Sequence, residues 1–209
     1  MRAGKALFIA SAMVFSATVS HASTALTVVV FDYARTPHAL LVSAVRVGEH
    51  AFHTAGIDTE WILCPQVGCS VPERYVVVKI VPHPLANAPI SSGGLAATFT
   101  CGGPEHCAAS YVFFDRAFDF AQSQDIPLDL TFGYVMVHEI GHLMGLGHRP
   151  GGIMMAVFHA QDLERAALGR LSFDSDEVRE MRAAMERSQL VSHPAHAVRL
   201  HGTHTGAAE

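Results

Sequence analysis

The chain has 209 residues, half of them hydrophobic and 16% charged, with a formal net charge of −5. That length suits one domain with a sizeable buried core. A mildly acidic balance without basic clusters argues against nucleic acid and against an anionic membrane surface as partners.

The first residues follow a pattern of their own. Arg2 and Lys5 make a short basic start, and Ala6 to Val19 is uncharged and mostly apolar. Ser20-His21-Ala22 then places small residues at the two positions that a signal peptidase reads. This is the layout of a secretory signal peptide, residues 1–22, cleaved after Ala22. The apolar run is short for a membrane span, which needs roughly 20 apolar residues. No later segment is long and apolar enough to be one. The expectation is a secreted or periplasmic protein. Cleavage removes two of the 14 basic side chains and none of the 19 acids, taking the net charge from −5 to −7.

Leu26 to Tyr33 is rich in β-branched residues and reads as a strand. Thr36-Pro37 gives a cap-plus-proline helix start. Leu40, Leu41, Ala44, Val45, Val47, Ala51 and Phe52 continue it at a helical period, and Gly56 stops it. Thr59 to Leu63 is a second strand. Arg74 to Val81 is a third, nearly all apolar and so central in a sheet. Prolines 82, 84 and 89 with residues 91–94 make a loop. Leu95 to Thr100 is a shorter strand of small residues. Ala109 to Asp115 is another strand, running into a short helix near Ala117 to Gln122.

Asp129 or Thr131 caps the next helix, which carries Phe132, Val135, Met136, Ile140 and Leu143 and ends at Gly145. A glycine-rich stretch follows, with loops at Arg149 to Gly152 and Val157 to Leu163. A last helix runs from about Asp174 to Ser188, capped by Ser172 or Asp174, with acids in its first turn. The segment from Val191 onward holds His193, His196, His201 and His204 but has no periodicity, and reads as a disordered tail. There is no internal repeat. The expected organisation is one domain over 23–190, monomeric, followed by the tail at 191–209.

The four cysteines are Cys64, Cys69, Cys101 and Cys107. An even count in an exported chain implies disulfides. Three pairings are possible. Cys64–Cys69 and Cys101–Cys107 are favoured, because each pair flanks a short loop containing Gly or Pro. A cysteine-ligated zinc is the rival reading, and neither pair has the two-residue spacing of a zinc knuckle.

The segment His138-Glu139-Ile140-Gly141-His142-Leu143-Met144-Gly145-Leu146-Gly147-His148 carries the chemistry. Positions four apart on a helix share a face, so His138 and His142 can offer nitrogens to one ion. Glu139 sits where a carboxylate can reach metal-bound water without itself ligating the metal. Gly145 lets the chain leave the helix sharply, which can return His148 as a third ligand. Three protein ligands leave the fourth position of a Zn2+ ion to water, the arrangement of a catalytic site. His106, His159 and Asp162 are candidates to flank the site, with surface placement the plainer reading.

His138 to His148 resembles the long zinc signature of the metzincin metallopeptidases, and the chain is similar to small bacterial matrixin-like proteins. That clan places a methionine turn below the zinc, and Gly152-Ile153-Met154-Met155 looks like it, with Met154 as the floor methionine. The resemblance implies an α+β fold: a metzincin-like twisted mixed sheet packed with an active-site helix and a C-terminal helix. It implies one catalytic zinc held by His138, His142 and His148, with Glu139 as the base that hydrolyses peptide bonds in a protein or peptide substrate. The substrate would lie along an edge strand near Gly94 to Phe99. The chain departs from the pattern in three places. Nothing resembles a cysteine-switch propeptide or the matrixin calcium and second-zinc loop, and Met155 stands where some metzincins have tyrosine. Two other readings share the ligands: a non-catalytic exported zinc-binding domain, and a zinc hydrolase of non-peptide amides.

Overall fold

The computed structural model describes residues 25–65, 68–72, 74–85, 93–100 and 108–187. The leader, the tail, His106 and the Cys101–Cys107 pair therefore lie outside the described residues. Ten elements follow in chain order: β1 (Leu26–Asp32), α1 (His38–Thr54), β2 (Thr59–Cys64), β3 (Val76–Val81), β4 (Ala96–Thr100), β5 (Ala108–Phe113), α2 (Phe114–Gln124), α3 (Leu128–Leu143), α4 (Ala160–Ala167) and α5 (Ser175–Glu186).

The fold is α+β, built on one five-stranded mixed sheet in the order β2-β1-β3-β5-β4. The first four strands in that order run parallel, and β4 is antiparallel at the edge. β1 and β3 are apolar on both faces because both faces are covered. Leu26, Val28 and Val30 of β1, with Val76, Val78 and Ile80 of β3, enter the main core beneath the helices. Val29 and Val77 point the other way and pack with Cys64 and Tyr75. The Cys64–Cys69 disulfide ties the end of β2 to the loop that follows it.

α3 is the central helix. Its residues Thr131 to Gly141 are all buried, polar Thr131, His138 and Glu139 among them. A helix buried all round belongs in an interior, and α3 lies between α1 on one side and the strands on the other. α5 closes the domain. Its N-cap, Asp174, accepts from the backbone amides of Asp176 and Glu177, and Glu177 returns a carboxylate oxygen to the Asp174 amide at 2.7 Å. This reciprocal box satisfies helix-end donors that no turn of helix reaches. No helix among the described residues is long and apolar enough to cross a membrane.

Three local expectations are corrected. Thr36 does not cap α1; its hydroxyl donates to Asp32 across the turn, and Pro37 holds the N-cap position without a side-chain bond. α3 starts at Leu128 behind Pro127, not at a cap by Asp129 or Thr131. Asp129 instead accepts the Ser43 hydroxyl from α1, and Thr131 donates back to the Pro127 carbonyl. In each case a tertiary or turn partner draws away the side chain that local pattern assigns to a cap. Third, the stretch expected as loop through Leu163 contains the start of α4. Asp162 accepts the His159 amide at 3.0 Å, and Leu163 and Ala166 bury one face.

α1 and α3 approach closely at a glycine. A Cβ on Gly133 would stand 2.5 Å from Val47 Cβ and 2.9 Å from the Ala44 carbonyl oxygen. Alanine would gain up to about 1 kcal/mol in helix propensity, but overpacking a core costs roughly 1–3 kcal/mol, and a helix carbonyl cannot swing aside. Gly133→Ala is expected to lower stability by about 1–2 kcal/mol, read as a lower denaturant midpoint. An unchanged midpoint would mean that α1 is free to slide.

Candidate metal centre

α3 brings the first two histidines together. His138 is 8% exposed and His142 partly exposed, one turn apart on the same face of the helix. α3 ends at Leu143, and Gly145 follows with φ +92°, a left-handed conformation that costs glycine little. The turn closes when the Leu146 amide donates to the Gly141 carbonyl at 3.0 Å. The chain then reverses and places His148, which is exposed, beside His142. His142 Nε2 lies 3.0 Å from His138 Nε2 and 3.2 Å from His148 Nε2.

The tautomers of two rings follow from their far sides. His138 Nδ1 is 2.8 Å from the Ile153 carbonyl oxygen, and His142 Nδ1 is 2.8 Å from the Leu146 carbonyl oxygen. A carbonyl only accepts, so each Nδ1 carries the proton and each Nε2 presents a lone pair. Two lone pairs 3.0 Å apart repel unless a cation lies between them. Tetrahedral zinc with Zn–N bonds of about 2.0–2.1 Å spaces its nitrogens by roughly 3.3 Å. The donor chemistry and the spacing thus fit a zinc-sized cation. Outer carbonyl partners of this kind orient metal-binding imidazoles.

The turn after His148 braces the site from below. The Arg149 amide donates to the Met154 carbonyl at 2.8 Å, tying the third-histidine loop to the segment Gly152 to Met155. Arg149 also bonds Glu180 of α5 at 2.9 Å. Ile153 and Met154 are fully buried. Met154 Sδ lies directly beneath Gly141, where any Cβ would collide with it. Of the two adjacent methionines, Met154 is therefore the one under the ligand helix, and Met155 is only partly buried. Phe158 meets the His138 ring edge-on, with centroids 5.6 Å apart. His159 is exposed at the start of α4 and Asp162 is taken up by the cap there; neither joins the three histidines.

Glu139, 5% exposed, points toward β4. Its Oε2 is 2.5 Å from the Thr98 hydroxyl, which is 2.6 Å from the Ser110 hydroxyl. Ser110 Oγ also lies 3.3 Å from the Glu139 backbone carbonyl oxygen. Thr98 and Ser110 are contributors that sequence reading passes over. The signal is faint: a hydroxyl on each of two short strands, at positions that share a face with Ala96, Ala108 and Val112.

The metal-free site has a predictable pH signature. Burial lowers the His138 imidazole to about 4, opposed by the Ile153 carbonyl and helped by the neighbouring His142 and His148. His148 is lowered by burial and by His142. Burial raises the Glu139 carboxyl from 4.5 to about 7, while the Thr98 hydroxyl pulls it down. A folded pKa above the unfolded one contributes stability at low pH that is lost as pH rises through the folded value. For Glu139 that window runs from 4.5 to about 7. Glu139→Gln removes the ionisation and keeps the shape. In chelator, the stability of Glu139→Gln relative to wild type should rise between about pH 5 and pH 8, measured by chemical denaturation. A difference that stays flat across that range would contradict it.

Part of the chain is similar to a known family. Residues 90–183 match the family model described as Matrixin. That stretch contains β4, all three histidines, Glu139, Gly145 and Met154. No curated protein sequence matches the chain. Among solved structures, archaemetzincin from Methanopyrus kandleri is similar at TM-score 0.49 and 16% identity, covering 81% of this chain and 99% of that one. A zinc-dependent peptidase from Methanocorpusculum labreanum is similar at TM-score 0.44 and 17% identity, covering 74% of this chain and 99% of that one. Over residues 90–183 the chain is thus similar to the Matrixin peptidases, and that stretch carries the whole histidine cluster.

Proposed function

We propose that this chain is an exported metalloendopeptidase that holds one zinc ion through His138, His142 and His148 and uses Glu139 as its general base. The observation that carries the reading is the convergence of three imidazole nitrogens, two with fixed tautomers, beside a buried carboxylate on the same helix. When bound, zinc supplies Lewis acidity toward water and toward the scissile carbonyl. Glu139 accepts a proton from the attacking water at its carboxylate and passes it to the departing amine. Next to His138 in the helix, Glu139 would stand beside the ion that the three histidines would hold without being one of its ligands. The low exposure of Glu139 keeps bulk water from competing for that proton.

The substrate is a peptide in extended conformation. β4 is the last strand in the sheet order, so its outer backbone groups suit strand addition. Main-chain pairing of this kind accepts many sequences, and side-chain pockets select among them. Phe158, set edge-on to His138, and exposed Val157 give the cleft an apolar side. Export is supported by the basic-then-apolar pattern of residues 1–22, and the Cys64–Cys69 bond suits an oxidising compartment.

Metal analysis of the purified protein should give one zinc per chain, and chelation should abolish cleavage of a peptide library. Glu139→Gln should keep its zinc and lose at least about 100-fold in kcat/KM, whereas His142→Ala should lose the metal itself. Full activity in Glu139→Gln would sink the assigned base. Zinc without cleavage of any peptide would turn the reading to a binding domain or to another amide substrate.

A further inference from the structure

We infer that Thr98 is a positioning residue for the base: its hydroxyl, braced by Ser110, fixes the carboxylate of Glu139 from the edge strand. The inference rests on the reading of Glu139 as the base and extends it to β4. Thr98 and Ser110 are register partners across β4 and β5. They lie on one face of the sheet, opposite each other, and that face meets α3 at Glu139. Ser110 is fully buried.

The donor order follows from what each group can do. An ionised carboxylate only accepts, so the Thr98 proton goes to Glu139 Oε2 at 2.5 Å. Thr98 Oγ1 then has lone pairs for the Ser110 proton at 2.6 Å. The Thr98–Glu139 distance falls in the short range of charge-assisted O–H···O bonds. Glu139 Oε1 has no side-chain or backbone partner among the described residues. One carboxylate oxygen is thereby clamped and the other is left for proton transfer.

The clamp has work to do because glutamate is long. An unrestrained Glu side chain has among the largest rotamer freedom of any residue. A general base must stay within hydrogen-bond reach of the proton it takes, and a shift of about 1 Å can cost on the order of 100-fold in rate. Threonine suits the role better than serine, since its β-branch stiffens χ1 and aims the hydroxyl. The same strand offers its outer backbone to substrate and its inner hydroxyl to the base, so the distance from substrate to base is set within one strand.

The test uses Thr98→Val, which keeps the side-chain shape and deletes the hydroxyl, and Thr98→Ser, which keeps the hydroxyl. Zinc content, denaturant midpoint and peptide kinetics are measured on each and on wild type. Thr98→Val should lower kcat by about 10- to 100-fold with KM within about twofold of wild type and one zinc retained; Thr98→Ser should recover most of the lost kcat. A second readout needs no activity. In chelator, Thr98→Val should weaken the folding equilibrium by about tenfold in the wild-type background, and far less in a Glu139→Ala background. Unchanged kcat in Thr98→Val overturns the inference, as does a kcat loss shared equally by Thr98→Ser. Equal destabilisation in both backgrounds overturns the hydrogen bond itself. A wild-type protein that binds zinc but cleaves no peptide overturns the assignment of Glu139 as base, and the positioning role with it.

Discussion

Two carbonyl oxygens decide what this site is. Neutral imidazoles have no reason to gather their lone pairs at one point, and each would rather turn to water. Here the Ile153 and Leu146 carbonyls take the Nδ1 protons of His138 and His142, and the Nε2 lone pairs are left facing each other. The arrangement is held by backbone that is itself held. Ile153 lies in the buried turn above Met154, and Leu146 lies in the reversal after Gly145. The core therefore fixes the histidines before any metal arrives. The repulsion that results is relieved by a cation, which links metal binding to the stability of the whole helix.

That fixation depends on α3 being buried nearly all round. Close approach of α1 at Gly133 seats the first half of the helix, and Met154 beneath Gly141 seats its C-terminal end. Both contacts use the absence of a side chain. A larger residue at either point would lift the helix and with it the register of two histidines and a carboxylate. The third histidine is positioned differently, through the Arg149 amide on the Met154 carbonyl and the Arg149 side chain on α5. His148 is also the exposed member of the three.

Much of this was legible in the sequence because the ligands and the base fall within eleven consecutive residues, where helix period and one glycine suffice to argue geometry. An edge strand near Gly94 to Phe99 was expected from the family resemblance, and the structure puts β4 last in the sheet order. What was not legible depends on partners distant in the chain. Thr98 reaches Glu139 across 41 positions. Thr36 and Asp129 look like caps until Asp32 and Ser43 claim them. α4 is eight residues long, and a helix that short leaves too little period to be told from a loop.

β4 has one more consequence. An open strand edge is a template for any extended chain, including another copy of the same protein. Proteins usually blunt such edges with charge or proline, but Ala96 to Thr100 contains neither. What limits the hazard is length. Five residues give only a few backbone bonds, enough to hold a short peptide in passing and too few to nucleate a stable intermolecular sheet. The brevity of β4 thus doubles as protection against aggregation.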